Sequence, residues 1–179
     1  MPRCGAHRTR KIRALTLWCV VFAVLAQPLP AAASNTLGAW SPVKPWPMVA
    51  VHAVLMPDGR VLTFGTQGGS LYDVWDPSAG LDAGHLTLSN TVGSNLFCSS
   101  ALVLPGGSGV FIAGGGPEAI PNNDSRVFDY ENNTLTRYDD LNRGRYYATS
   151  TTLPNGHTYI QGGTGGADHP EIRDPSGAF

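Results

Sequence analysis

The sequence predicts an all-β fold built of β-propeller blades, about three of them in an incomplete ring, after an N-terminal signal peptide. Three observations carry this reading. The pattern of an extended apolar run, a Pro and Gly turn and a second run ending in Gly occurs three times: "VHAVLMPDGRVLTFGT" (Val51–Thr66), "SALVLPGGSGVFIAGG" (Ser100–Gly115) and "TSTTLPNGHTYIQGG" (Thr149–Gly163). The closing glycines, Gly65, Gly114 and Gly162, are separated by 49 and 48 residues, a period suited to four-stranded blades. The 22 glycines and 14 prolines are spread along the 179 residues rather than massed in one tract, as many tight turns between short strands require.

The N-terminus stands apart. Arg3, Arg8, Arg10, Lys11 and Arg13 precede the apolar run "ALTLWCVVFAVLA" (Ala14–Ala26), and Ala31-Ala32-Ala33 follows as a small-residue cleavage site. This order is that of a secretory signal peptide over residues 1–33, and the apolar run is short for a membrane span. A single N-terminal anchor helix is the competing reading. The arginines form no twin pair, so general secretion is expected, to the extracellular space or the periplasm, with no membrane association after cleavage.

Cleavage would leave residues 34–179 as the mature chain. Removing five of the twelve basic residues leaves seven against thirteen acids, a net charge of −6. An acidic surface argues against nucleic acid as a partner. Cys4 and Cys19 lie in the leader, so Cys98 is left without a disulfide partner in the mature chain.

Each repeat reads as a β-hairpin. Asp58-Gly59 and Asn155-Gly156 are dipeptides that favour two-residue turns, while Gly106–Gly109 gives the middle repeat a longer one. "LYDVWDP" (71–77), "SRVFDYENNT" (125–134) and "PEIRDPSG" (170–177) read as third strands ending in acidic turns, and "LTRYDDL" (135–141) as an outer strand of the second blade. The period and the paired glycines make these kelch-type blades. Propellers close with four to eight blades, so the expectation is the N-terminal part of a larger propeller or a truncated product, poorly stable as an isolated monomer.

Counting back from the closing glycines places Cys98 sixteen residues before Gly114 and Tyr147 fifteen before Gly162. With the extra turn residue allowed for, the two occupy the same place in consecutive blades, near the start of the first strand. Both side chains are then positioned to meet at one end of the central channel. The equivalent residue of the first blade is Ala50, so the repeat itself does not demand Cys or Tyr there. Spacing alone leaves two readings of Cys98 open: a buried small hydrophobe, or one half of a site.

"LFCSSALVLPGGSGVFIAGG" and "RYYATSTTLPNGHTYIQGG" resemble consecutive blades of the copper-radical oxidases of the galactose oxidase and glyoxal oxidase type. "LGAWSP" (37–42) and "WDPSAG" (75–80) are similar to the start of that propeller and to its first-blade turn. The resemblance spans about residues 37–177, and its specific part is the Phe-Cys pair followed one blade later by Arg-x-Tyr. It implies a thioether between Cys98 and Tyr147, and Tyr147 as a copper ligand. It also implies oxidation of a primary alcohol, aldehyde or carbohydrate by dioxygen, with hydrogen peroxide as the second product. The sulfur substituent would ease one-electron oxidation of the phenol, and copper(II) suits such an oxygen donor. Phe97 and Tyr146 become candidate substrate-pocket residues.

Two departures limit the resemblance. Gly165 stands where galactose oxidase places a tryptophan over the cross-linked tyrosine. The two copper histidines and the axial tyrosine of the family come from later blades. The four histidines of the mature chain (His52 in the first hairpin, His157 in a turn, His85 and His169 read as loop residues) show no paired spacing. The chain is thus expected to be inactive alone, with the remaining blades needed to complete its site. A secreted kelch-type module binding carbohydrate or protein, and a non-functional oxidase remnant, are the alternatives.

Overall fold

Among the described residues eleven short strands form three antiparallel sheets, two of four strands and one of three, each with its strands side by side in chain order. The computed structural model describes residues 38, 40–65, 70–93, 95–117 and 120–179. All named strands lie in the compact unit Lys44–Phe179. The expected signal peptide falls outside the described residues. No helix among the described residues is long and apolar enough to cross a membrane.

Blade 1 comprises β1 (Ala50–Leu55), β2 (Val61–Gly65), β3 (Leu71–Trp75) and β4 (His85–Ser89). Blade 2 comprises β5 (Ser100–Val103), β6 (Val110–Ala113), β7 (Ser125–Asp129) and β8 (Thr134–Arg137). Blade 3 has β9 (Thr149–Thr152), β10 (Thr158–Gln161) and β11 (Glu171–Arg173). The fold is therefore the partial β-propeller expected, with two corrections. The segment "HLTLS" is a fourth strand, so His85 is a strand residue and not a loop residue. The outer strand of blade 2 ends at Arg137 and does not extend to Leu141.

The hairpin turns are also longer than the Asp-Gly and Asn-Gly dipeptides suggest. The Met56 N–H donates to the Arg60 carbonyl at 2.8 Å, and the Gly59 N–H to the Met56 carbonyl at 3.0 Å, which encloses three loop residues. Leu153, His157 and Gly156 repeat this pattern at 2.8 and 2.9 Å. The cause is the proline. A two-residue turn on Asp58-Gly59 or Asn155-Gly156 needs the residue before it to donate its N–H across the hairpin, and Pro57 or Pro154 has none, so the bond passes to Met56 or Leu153. The loop takes a third residue, and Gly59 and Gly156 close it with φ of 87° and 84°.

The core sits between blades. Strand β6, "VFIA", is buried along its whole length. Val110 and Ile112 join Met56, Leu62, Phe64 and Val74 of blade 1 in one cluster. Phe111 and Ala113, on the opposite face, join Leu104, Leu141 and Ile160 in a second. Because both faces are covered, the strand reads as a continuous apolar run rather than an alternation. Full burial of a side chain such as Phe111 contributes about 1.5–3 kcal/mol.

A charged residue is buried at the same register in every blade. Thr63, Ile112 and Ile160 lie two residues before the closing glycines, and they pair across the sheet with Asp73, Arg126 and Glu171. Each finds a different local partner. Asp73 accepts from Thr87 Oγ1 at 2.9 Å and meets His85 Nδ1 at 2.7 Å. Arg126 donates to Asp124 at 2.8 Å, and Glu171 pairs with Arg145 at 2.7 Å.

Candidate functional site

The site begins with the glycines that close blade 2. The Gly115 N–H donates to the Arg145 carbonyl at 2.7 Å, and the Gly116 N–H to the Phe97 carbonyl at 3.0 Å. A Cβ on Gly114 would lie 2.4 Å from the Arg145 carbonyl oxygen, and one on Gly115 would lie 2.9 Å from that of Phe97. Only glycine admits both chains this closely. The paired glycines therefore draw together the segments carrying Cys98 and Tyr147, and the Tyr147 N–H donates to the Cys98 carbonyl at 2.9 Å.

Register confirms the equivalence read from spacing. Ser100 pairs with Ala113, Thr149 with Gln161 and His52 with Phe64, each partner being the residue before a closing glycine. Cys98, Tyr147 and Ala50 each stand two residues before these, at the same place in the three blades. The two site residues precede β5 and β9 rather than lying in them. Beyond them, Ser100 Oγ and Ser150 Oγ meet at 2.6 Å and tie blade 2 to blade 3.

Both residues have left-handed backbones, with φ of 57° at Cys98 and 65° at Tyr147. Asn133, at 54°, is the other described non-glycine residue with positive φ, and Asn tolerates that region in turns. For Cys and Tyr the conformation costs about 1–3 kcal/mol each and persists only where surrounding structure imposes it. At Cys98 the constraint is a tight turn. Asn95 Oδ1 accepts the Phe97 N–H at 2.8 Å, and the Leu96 carbonyl accepts the Ser99 hydroxyl at 2.9 Å.

Cys98 is buried and has no disulfide partner. Tyr146 is also buried, whereas Tyr147 is 64% exposed. Their rings meet edge to face at a centroid distance of 4.4 Å, and the Phe97 ring also lies edge to face against Tyr146 at 6.2 Å. Hydrogen bonding with the Cys98 side chain is the largest influence on both phenols and raises both pKa values. Burial and a hydrogen bond with Tyr147 raise Tyr146 further, while the contact with Tyr146 lowers Tyr147. The structure thus brings Phe97, Cys98, Tyr146 and Tyr147 into one cluster, with Tyr147 facing solvent and Tyr146 enclosed behind it.

Gly165 has a physical reason for lacking a ring. Its φ is +93°, and a Cβ there would lie 2.6 Å from the Gly144 carbonyl and 2.9 Å from Pro121 Cγ. The aromatic ring against Tyr147 is Tyr146.

Arg145 is wholly buried and binds turns. It donates to the Gly162 and Gly166 carbonyls at 2.9 and 2.8 Å, to the His169 carbonyl, and to Glu171. It fastens the loop after β10 beneath Tyr146 and Tyr147. Sequence reasoning missed this role. The usable signal was Glu171, an acid in the middle of a strand whose equivalents in the other blades are also charged.

A shallow open depression of about 370 Å³ lies beside Tyr147, lined by His52, Ser99, Ser100, Thr149 and Ser150 among others. His52 stacks on Phe64 at 4.8 Å, and burial lowers its pKa. Its Nε2 is buried without a hydrogen-bond partner. Copper(II) asks for a tetragonal set of nitrogen and oxygen donors. No group of three His, Cys, Asp or Glu able to hold a metal occurs among the described residues. Tyr147 offers one exposed phenol, and the described residues do not by themselves form a copper centre.

No protein-family model and no curated protein matches the chain. Among solved structures it is similar to a fungal alcohol oxidase of the AA5 family in complex with copper, at a TM-score of 0.64 and 22% identity. The match covers 78% of this chain and 31% of that one, so this chain spans less than a third of that enzyme's length. The likeness establishes a shared fold over the matched part of the two chains.

Proposed function

We propose that the chain is the N-terminal part of a secreted copper-radical oxidase that converts a primary alcohol or aldehyde, with dioxygen, to the oxidised product and hydrogen peroxide. On this reading Cys98 and Tyr147 join in a thioether, and the Tyr147 phenol is the copper donor. The remaining donors come from outside the described residues, and the chain alone does not turn over substrate. Phe97 and the Ser- and Thr-lined depression flank the place where a small alcohol, aldehyde or carbohydrate would sit. Tyr146 supports the Tyr147 ring from within.

The observation that carries the reading is the pair of left-handed residues. Two non-glycine residues at equivalent places in consecutive blades, one a buried thiol and one a phenol, share a backbone hydrogen bond and interacting side chains. Packing alone does not require this strain twice. Forming the thioether replaces one S–H and one ring C–H by a C–S bond. The two hydrogens and two electrons pass to dioxygen, giving hydrogen peroxide.

Peptide mapping after exposure to copper(II) and air is the test. The reading expects a tryptic peptide containing Cys98 joined to one containing Tyr147, stable to reduction. Separate, unmodified peptides would favour a binding module with a packed free thiol.

A further inference from the structure

At the hairpin-turn end of blades 2 and 3, the far end of β5 and β9 from Cys98 and Tyr147, lies a cavity of about 250 Å³. Pro105, Val127 and Pro175 give it apolar walls, and Ser108, Tyr138 and Arg173 give it polar ones. Arg173 is only 5% exposed. Its guanidinium lies over the Phe111 ring at 5.0 Å and the Tyr138 ring at 6.0 Å.

Three arginines among the described residues are buried, and two have a carboxylate: Arg126 has Asp124 at 2.8 Å and Arg145 has Glu171 at 2.7 Å. Among the described residues Arg173 has none within ion-pair distance. Its Nη1 donates to the Asp174 carbonyl at 3.4 Å, and its buried Nε has no acceptor. The adjacent Asp174 carboxylate is already engaged. Its Oδ1 accepts the Ser176 hydroxyl at 2.6 Å and the N–H groups of Ser176, Gly177 and Ala178 at 2.8, 2.9 and 3.1 Å.

A buried cation with no hydrogen-bonded carboxylate is costly: burial lowers the Arg173 pKa, and the Coulombic pull of Tyr138 and Asp174 opposes that only in part. An anion entering the cavity offsets that cost, and a planar carboxylate matches the fork of a guanidinium. The volume corresponds to roughly eight waters, room for a body of ring size. We propose that this cavity binds a small organic carboxylate, its charge on Arg173 and its apolar body against Pro105, Val127 and Pro175.

The test is calorimetric titration of the full 179-residue chain with benzoate, with benzamide as its uncharged isostere and inorganic phosphate as a bare anion. Benzoate should bind saturably, and benzamide weaker by at least about tenfold. Arg173→Met should lose binding. Ser108→Glu, at an exposed turn position, retains the guanidinium and the fold but places a carboxylate at the rim, and it should weaken benzoate by a similar factor. The proposal is overturned by no saturable benzoate binding, by equal affinity for benzamide, by full affinity in Ser108→Glu, or by phosphate binding as tightly as benzoate.

Discussion

The Tyr147 N–H donates to the Cys98 carbonyl at 2.9 Å, across the junction of two blades and between two residues that both hold positive φ. The contact exists because Gly114 and Gly115 let the Arg145 and Phe97 backbones approach where any side chain would collide. The chain thus brings the backbones of Cys98 and Tyr147 together at the junction of blades 2 and 3, just before β5 and β9.

Cys98 bears on the ionisation of both neighbouring phenols. Hydrogen bonding with its side chain is the largest cause of the raised pKa of Tyr146 and of Tyr147. Cys98→Ala should let them ionise at lower pH in a near-ultraviolet absorbance titration. A folded pKa raised above the unfolded value of about 10 contributes stability that is intact below that pH and lost as pH rises through the folded pKa. The variant should therefore lose less stability between neutral and strongly alkaline pH. Superimposable titration curves would show that the thiol does not act on the phenols.

The Arg145–Glu171 pair fastens the loop beneath the site, with side chains 0% and 6% exposed. Arg145→Met leaves the buried Glu171 carboxylate without its counter-charge, held only by hydrogen bonds from Asn142 and the Arg143 N–H, and should cost about 3 kcal/mol in denaturant unfolding. Asp82→Ala breaks the exposed pair with Lys44 and should cost under about 1 kcal/mol. Equal effects would mean that Arg145 is not held as described.

Gly165 should not accept the missing ring. Gly165→Ala puts a Cβ 2.6 Å from the Gly144 carbonyl at a φ of +93° and should destabilise the fold by more than about 1 kcal/mol. Gly165→Trp should be worse and should not shield Tyr147. An unchanged melting temperature in either variant would show that the loop has room to move.

Much of this architecture is legible in sequence because its determinants are local. The closing glycines and the Pro-containing turns set the strand boundaries, and counting back from the glycines is enough to align Cys98 with Tyr147. What was not legible depends on distant partners. His85 reads as a loop residue in the sequence, whereas it opens strand β4 and meets Asp73 across the sheet. The burial of Arg145 rests on its counter-charge, Glu171, which lies 26 residues away and is brought near only by the fold. The prolines in the hairpin loops were in plain view, yet their effect on turn length was overshadowed by the Asp-Gly and Asn-Gly signals. The left-handed backbones of Cys98 and Tyr147 have no sequence signature, since glycine or Asn is the usual occupant of such positions.

The most direct test of the central claim is the intact mass of the protein after exposure to copper(II) and air, measured under reducing, denaturing conditions with an alkylating reagent present. The account predicts a wild-type mass lower by two hydrogens and Cys98 resistant to alkylation. Tyr146→Phe should behave the same way, while Tyr147→Phe should keep its mass and alkylate fully. A wild-type thiol that alkylates completely after copper treatment would contradict the account.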